Sequence, residues 1–159
     1  MNNKLIISLL VIVNLFLITG CKNKENYITD REYLYDTAVQ YIIDNDSNLE
    51  KNNDRYKLFV DYTGFGITED THYRYAYMWI AEGSYYVVDN KIISGPGSSM
   101  PYRFIFELNG DKVVRYEIPE DGNKYVPSIK KMYPDDIEQN AIGYQWKDDR
   151  LIKEVREYY

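Results

Sequence analysis

The chain begins Met1-Asn2-Asn3-Lys4. A mainly apolar run over 5–17 follows, broken only by Ser8 and Asn14, and then Ile18-Thr19-Gly20-Cys21. A polar stretch over 22–26 separates this start from the next periodic segment. There Leu34, Ala38, Tyr41 and Ile42 recur at helical spacing, flanked by Tyr33 and Val39. This spacing predicts a helix over 30–45, opened by the capping box Thr29-Asp30-Arg31-Glu32 and stopped by the polar Asp44-Asn45-Asp46-Ser47-Asn48. From Tyr56 the period becomes two: Tyr56, Leu58, Val60 and Tyr62 share one face of an expected strand that ends at a Gly64-Phe65-Gly66 turn. Tyr73, Tyr75, Tyr77 and Trp79 alternate with Arg74, Ala76, Met78 and Ile80, a strand with two partly covered faces. Residues 85–88 and 91–93 flank Asp89-Asn90 as a hairpin. Residues 94–101 have the composition of a loop. Residues 102–108 and 113–118 flank Asn109-Gly110, which predicts a second hairpin with a primed turn.

After Pro119-Glu120-Asp121-Gly122 the pattern turns helical again. Ser128 is expected to cap a short helix containing Ile129 and Met132. Pro134 opens another, with Asp135, Asp136 and Glu138 in its first turn and Gly143 at its end. Leu151, Ile152, Val155, Tyr158 and Tyr159 form the apolar stripe of a last helix. The expected fold is α+β: an N-terminal helix, an antiparallel β-meander of five or six strands, and short C-terminal helices. The first and last helices are expected to cover the apolar face of the sheet. No βαβ unit is visible, which argues against a dinucleotide fold.

The first twenty residues have the three-part form of a secretory signal: basic head, apolar middle, small-residue junction. A membrane-spanning helix needs about 20 predominantly apolar residues, more than this run supplies. Ile18-Thr19-Gly20-Cys21 resembles the bacterial lipobox, whose cysteine is acylated and becomes the new N-terminus. The expected organisation is a lipoprotein signal over 1–20, a polar tether over 21–26 and a single α+β domain over 27–159. Cys21 is the expected lipid-attachment residue, holding the domain on the extracytoplasmic face of the cell membrane.

Removing residues 1–20 leaves 18 Lys and Arg against 25 Asp and Glu, a formal charge of −7. An acidic domain argues against nucleic acid and against adsorption to anionic lipid heads, so the expected contact with the membrane is through lipid alone. Cys21 is the only cysteine, so the domain has no disulfide and no thiol chemistry. Eighteen tyrosines stand in for much of the usual aliphatic core and suit sheet faces, with the ring packed and the hydroxyl wet.

Candidate chemistry is sparse. His72 is the only histidine, so any Ser-His-Asp hydrolase would have to use it as base, yet no Gly-x-Ser-x-Gly elbow surrounds Ser98 or Ser99. Asp44, Asp46 and Asn48 have calcium-loop spacing, but Leu49 replaces the glycine and Arg55 the glutamate, which points to a solvated helix end. Ser128-Ile129-Lys130-Lys131 fits the Ser-x-x-Lys of penicillin-interacting enzymes without the companion motifs of that chemistry. No cofactor, metal ligand set or catalytic residue is expected. The 94–101 segment is the expected binding loop, with Gly95, Gly97, Ser98, Tyr102 and Trp79 as candidate ligand contacts.

Ser94-Gly95-Pro96-Gly97-Ser98-Ser99-Met100-Pro101, the Asn109-Gly110 hairpin, Ile118-Pro119-Glu120-Asp121-Gly122 and Ser128-Ile129-Lys130-Lys131-Met132-Tyr133-Pro134 resemble an extracellular module of Firmicutes. That module occurs in small lipoproteins and appended to membrane antirepressor metalloproteases of the beta-lactam-sensing type. The resemblance spans about residues 94–142. This chain has no His-Glu-x-x-His and no multi-helix membrane region, so no protease residue carries over. The resemblance implies an exported, non-catalytic binding or sensory module. A small cell-envelope hydrolase using His72, and an interaction or immunity-type lipoprotein meeting a protein partner or cell-wall ligand, are the alternative expectations.

Overall fold

Every strand of the sheet pairs antiparallel with its neighbour in the chain, in the order β1-β2-β3-β4-β5. The computed structural model describes residues 26–27, 32–45, 56–147 and 149–159. The signal segment, Cys21, the Thr29 end of the capping box and most of the calcium-like spacing lie outside the described residues. The sheet comprises β1 (Asn26–Tyr27), β2 (Lys57–Glu69), β3 (Tyr73–Val88), β4 (Lys91–Glu107) and β5 (Val113–Glu117). The helices are α1 (Tyr33–Asn45), α2 (Tyr125–Met132, entered through a short 3-10 turn), α3 (Glu138–Ile142) and α4 (Asp149–Tyr158).

The class is α+β with an antiparallel meander, but the expected five or six strands become four long ones plus the two-residue β1. Six expected segments become four because 73–80 and 85–88 join as β3 and 91–93 and 102–108 join as β4, and two of the expected breaks are bulges inside strands. Gly64-Phe65-Gly66 does not end β2; it shifts the register between Gly64 and Gly66. A Cβ on Gly64 would lie 2.5 Å from the Tyr35 ring of α1, so glycine is what lets the helix settle on the strand there. The bulge also swaps strand parity: Tyr62 and Ile67 both face α1 despite their odd separation. Residues 94–101 are likewise not a loop but the middle of β4. Ser94 pairs with Tyr85 and Gly97 with Gly83, so Gly95 and Pro96 lie opposite Ser84 alone. A bulge on a stretch that β5 does not reach is a place where proline's missing N–H is tolerated. A Cβ on Gly97 would meet the Glu82 carbonyl at 2.5 Å.

The turns also exchange roles. Asp89 and Asn90 have φ of 49° and 58°, the primed two-residue turn. Asn109-Gly110 does not form one. β4 and β5 are joined by a longer loop closed by Gly110 N–H donating to the Glu107 carbonyl at 3.4 Å, with glycine at the last turn position.

α1 packs on one face of the sheet, through Leu34, Tyr35, Ala38 and Ile42 against Ala76, Met78, Ile80, Phe104 and Phe106. Burying side chains of this size contributes about 1.5–3 kcal/mol each. The remaining helices cover the opposite face, which corrects the expectation that the first and last helices share one. Tyr77 meets Ile129, Met132 and Tyr133, while Phe59 and Tyr85 meet Leu151 and Val155 of α4. Both alternating sets of β3 are apolar, so both faces need a layer. Tyr133 fixes α2 to the sheet: its hydroxyl donates to the Tyr102 carbonyl at 2.8 Å, and burial pushes the phenol far above its ordinary pKa. Gly143 ends α3 as expected. Ser128 is not a helix cap; it lies inside α2.

Candidate functional site

The expected ligand contacts do not converge. Trp79 lies on the face that α2–α4 cover, where its indole donates to Ser99 Oγ at 2.7 Å and its ring packs on Tyr144 at 5.0 Å. Ser98 points to the other face and donates to Glu82 Oε1 at 2.6 Å. Tyr102 is buried in the α1 core, stacked on Phe104 at 5.6 Å. Gly95 and Gly97 are strand residues held by backbone approach: a Cβ on Gly95 would lie 3.2 Å from the Tyr56 ring.

His72 lies in the β2–β3 turn, exposed, with Nδ1 2.8 Å from Thr71 Oγ1. The organiser of that turn is Asp70. Its Oδ1 accepts the His72 and Tyr73 amides at 2.7 and 2.8 Å, and its Oδ2 accepts the Tyr75 hydroxyl at 2.7 Å. Desolvation pushes the Asp70 carboxyl up, but these donors outweigh it and hold the pKa below the ordinary value. Burial first, then the bond to Asp70, raises the Tyr75 phenol to about 12. Tyr73 pairs with Glu107, whereas Gly97 pairs with Gly83, so ten strand residues separate His72's end from the Gly95–Gly97 segment. At about 3.3 Å per residue that is roughly 33 Å.

A groove of about 560 Å³ lies between the end of β5 and α2. Gly122, with φ of 66°, reverses the chain so that α2 runs back beside the strand. Arg103, Glu117, Glu120, Lys124, Ser128 and Lys131 line it. The register Arg103↔Glu117 sets an ion pair into its wall. Arg103 Nη1 also donates to the Met132 carbonyl at 2.8 Å, tying the wall to the end of α2. Lys124 pairs with Glu120 at 2.8 Å across an exposed rim. Ser128 Oγ donates to the Lys124 carbonyl at 2.6 Å and accepts the Glu120 amide at 3.0 Å. A hydroxyl so engaged closes a helical turn and is not poised as a nucleophile. Lys131 has no ion-pair partner among the described residues and stands exposed at the rim. The mixture of charges suits a polar ligand held by ion pairs and hydrogen bonds.

Sequence reasoning touched Ser128 as a helix cap, Ser128 and Lys131 through their Ser-x-x-Lys spacing, and Glu120 only within the family resemblance; it named none of Arg103, Glu117, Glu120 and Lys124 as a site residue. The available signal was Arg103, a charge among apolar strand residues. Among the described residues no group of three His, Cys, Asp or Glu could hold a metal ion, and no helix is long and apolar enough to cross a membrane. No family model, no curated protein and no solved structure matches the chain.

Proposed function

We propose that this chain is a lipid-anchored extracytoplasmic lipoprotein whose domain binds rather than catalyses. The observation that carries the anchor is the Ile18-Thr19-Gly20-Cys21 junction behind a short apolar run. The binding role is supported by the groove between β5 and α2, where Ser128 and the Arg103–Glu117 pair are engaged in holding the walls. It is also supported by the resemblance of residues 94–142 to an exported module without catalysis. A hydrolase using His72 gains nothing from the position of that residue, in an exposed turn roughly 33 Å from the Gly95–Gly97 segment.

Palmitate labelling of cells expressing Cys21→Ser tests the anchor. The expected result is loss of label, with the protein released or left as unprocessed precursor. Unchanged labelling sinks the lipoprotein reading.

A second reading, a lipoprotein that meets a protein partner, is favoured by one specific observation. Val87, Val88, Ile92 and Ile93 are exposed together at the end of the β3–β4 ladder.

A further inference from the structure

The groove between β5 and α2 has charge left over, and it is positive. Both acids in its walls already have cations. Glu117 has two: Oε2 faces Arg103, and Oε1 faces Arg115 Nε at 3.5 Å. That triad carries one surplus positive charge. Glu120 is matched by Lys124 at 2.8 Å, an exposed pair that solvent screens and a ligand can open at little cost. Lys131 stands exposed about one turn of α2 beyond Ser128, without an ion pair among the described residues. Arg103 also keeps a donor unspent. Its Nη atoms hold Glu117 and the Met132 carbonyl, while its Nε is buried with no hydrogen-bond partner among the described residues. The chain beyond residue 20 has a net charge of −7, so the groove is a positive spot on a domain that as a whole repels anions. An apolar strip runs between these charges: Ile118, 47 % exposed, with Pro127 and Met132. A bare ion would leave that strip wet, whereas a head carried on an apolar body would cover it.

We infer that this groove takes a small organic anion, a carboxylate or phosphate head carried on a short apolar body. The inference rests on the binding reading above and names its class of ligand. The head meets Lys131 and the surplus charge of the Arg103–Glu117–Arg115 triad, and the body covers Ile118 and Pro127. A cationic ligand finds no free acid, because Glu117 and Glu120 would each have to give up a cation. A neutral apolar ligand gains the Ile118 contact alone and takes water from the charges beside it. The volume of about 560 Å³ lies in the range of clefts that hold drug-sized molecules, about 300–1,000 Å³. The walls are already fixed. Arg103 ties β4 to the Met132 carbonyl at 2.8 Å, and Ser128 bridges the Lys124 carbonyl and the Glu120 amide. Little ordering remains to be lost on binding.

The test uses the chain as the cell processes it, isotope-labelled at the methionine methyls and reconstituted with phosphatidylcholine bilayer discs. Empty discs correct for partition of the probes. Met132 lines the groove and Met78 lies in the α1 core, so their methyl resonances separate binding from unfolding. Four probes share one body and differ in the head: phenylpropanoate, phenylpropyl phosphate, phenylpropanol and phenylpropylammonium. Acetate supplies a head without the body. The expected result is a saturable shift of Met132, with Met78 unmoved, for at least one of the two anions at a Kd of about 1 mM or below. That anion should bind at least tenfold more tightly than the alcohol, the ammonium or acetate, and the tighter of the two anions assigns the head. Lys131→Glu should weaken it at least tenfold and Lys131→Gln less, in the same direction. Lys112→Gln, in the β4–β5 turn, should leave it unchanged. Equal affinity for all heads, preference for the ammonium, acetate binding as tightly as the larger anions, or an anion Kd untouched by Lys131→Glu each overturns the inference and leaves a binding groove of another chemistry. No saturable shift with any probe overturns it together with the groove's part in the reading above. The anchor is judged separately, by palmitate label on the same preparation.

Discussion

The β3–β4 ladder treats its two ends in opposite ways. Toward the β2–β3 turn, Arg74↔Phe106 and Ala76↔Phe104 are fully covered, and even the buried Arg74 guanidinium is satisfied by the Glu107 carbonyl at 3.1 Å. Toward the Asp89-Asn90 turn, Val87, Val88 and Ile92 of the rungs Val87↔Ile92 and Val88↔Lys91 are 39–48 % exposed, and no described helix covers them. Both ends use β-branched and aromatic residues, so composition does not separate them. What separates them is the presence of a third layer. One pair of strands serves as core where helices cover it and as exposed surface where they do not.

Three measurements break or sharpen that contrast. The largest effect belongs to the covered end: Phe104→Ala should destabilise the domain by about 3–5 kcal/mol in urea denaturation, through lost burial and the cavity left behind. A loss under about 1 kcal/mol would mean that the α1 layer is not tightly packed there. An intermediate effect concerns the Asp70 turn. Its folded pKa is depressed, so its stabilisation is present above the unfolded value, about 3.9, and is lost as pH falls through the folded pKa. Asp70→Asn should flatten the fall in stability below about pH 4; an unchanged acid profile would remove Asp70 as the organiser. The smallest effect belongs to the exposed end. Val87→Ser should change stability by no more than about 0.5 kcal/mol, since Val87 is 42 % exposed, and a larger loss would show that this end of the ladder is part of the core.

Much of the fold was legible because its signals are local. The spacing of Leu34, Ala38 and Ile42 marked α1, the alternation from Tyr56 to Tyr62 marked β2, and Asp89-Asn90 and Gly143 marked a turn and a helix end. What was not legible depended on partners distant in sequence. Gly64, Gly95 and Gly97 look like turn glycines until Tyr35, Tyr56 and the Glu82 carbonyl are seen against them. Ser128 looks like a cap until the α-helix is seen to begin three residues earlier, at Tyr125. That the candidate contacts do not converge has the same cause. Whether Trp79 and Ser98 share a face depends on the β3–β4 register, which pairs Trp79 with Pro101 and Ser98 with Glu82, and the meeting of Arg103 with Glu117 depends on the β4–β5 register.

The order of the sheet has a consequence for how the domain reaches its native state. From β2 onward each strand pairs with the one made just before it. Growth from β2 to β5 therefore needs only short loop closures, whose entropy is small; the two-residue β1 alone pairs across a long separation, Asn26 with Glu69. Exported as proposed, a chain emerging end first can add β3 to β2, then β4, then β5, as each arrives. The helices that complete the second layer come last, from the C-terminal residues, and seal a sheet already assembled.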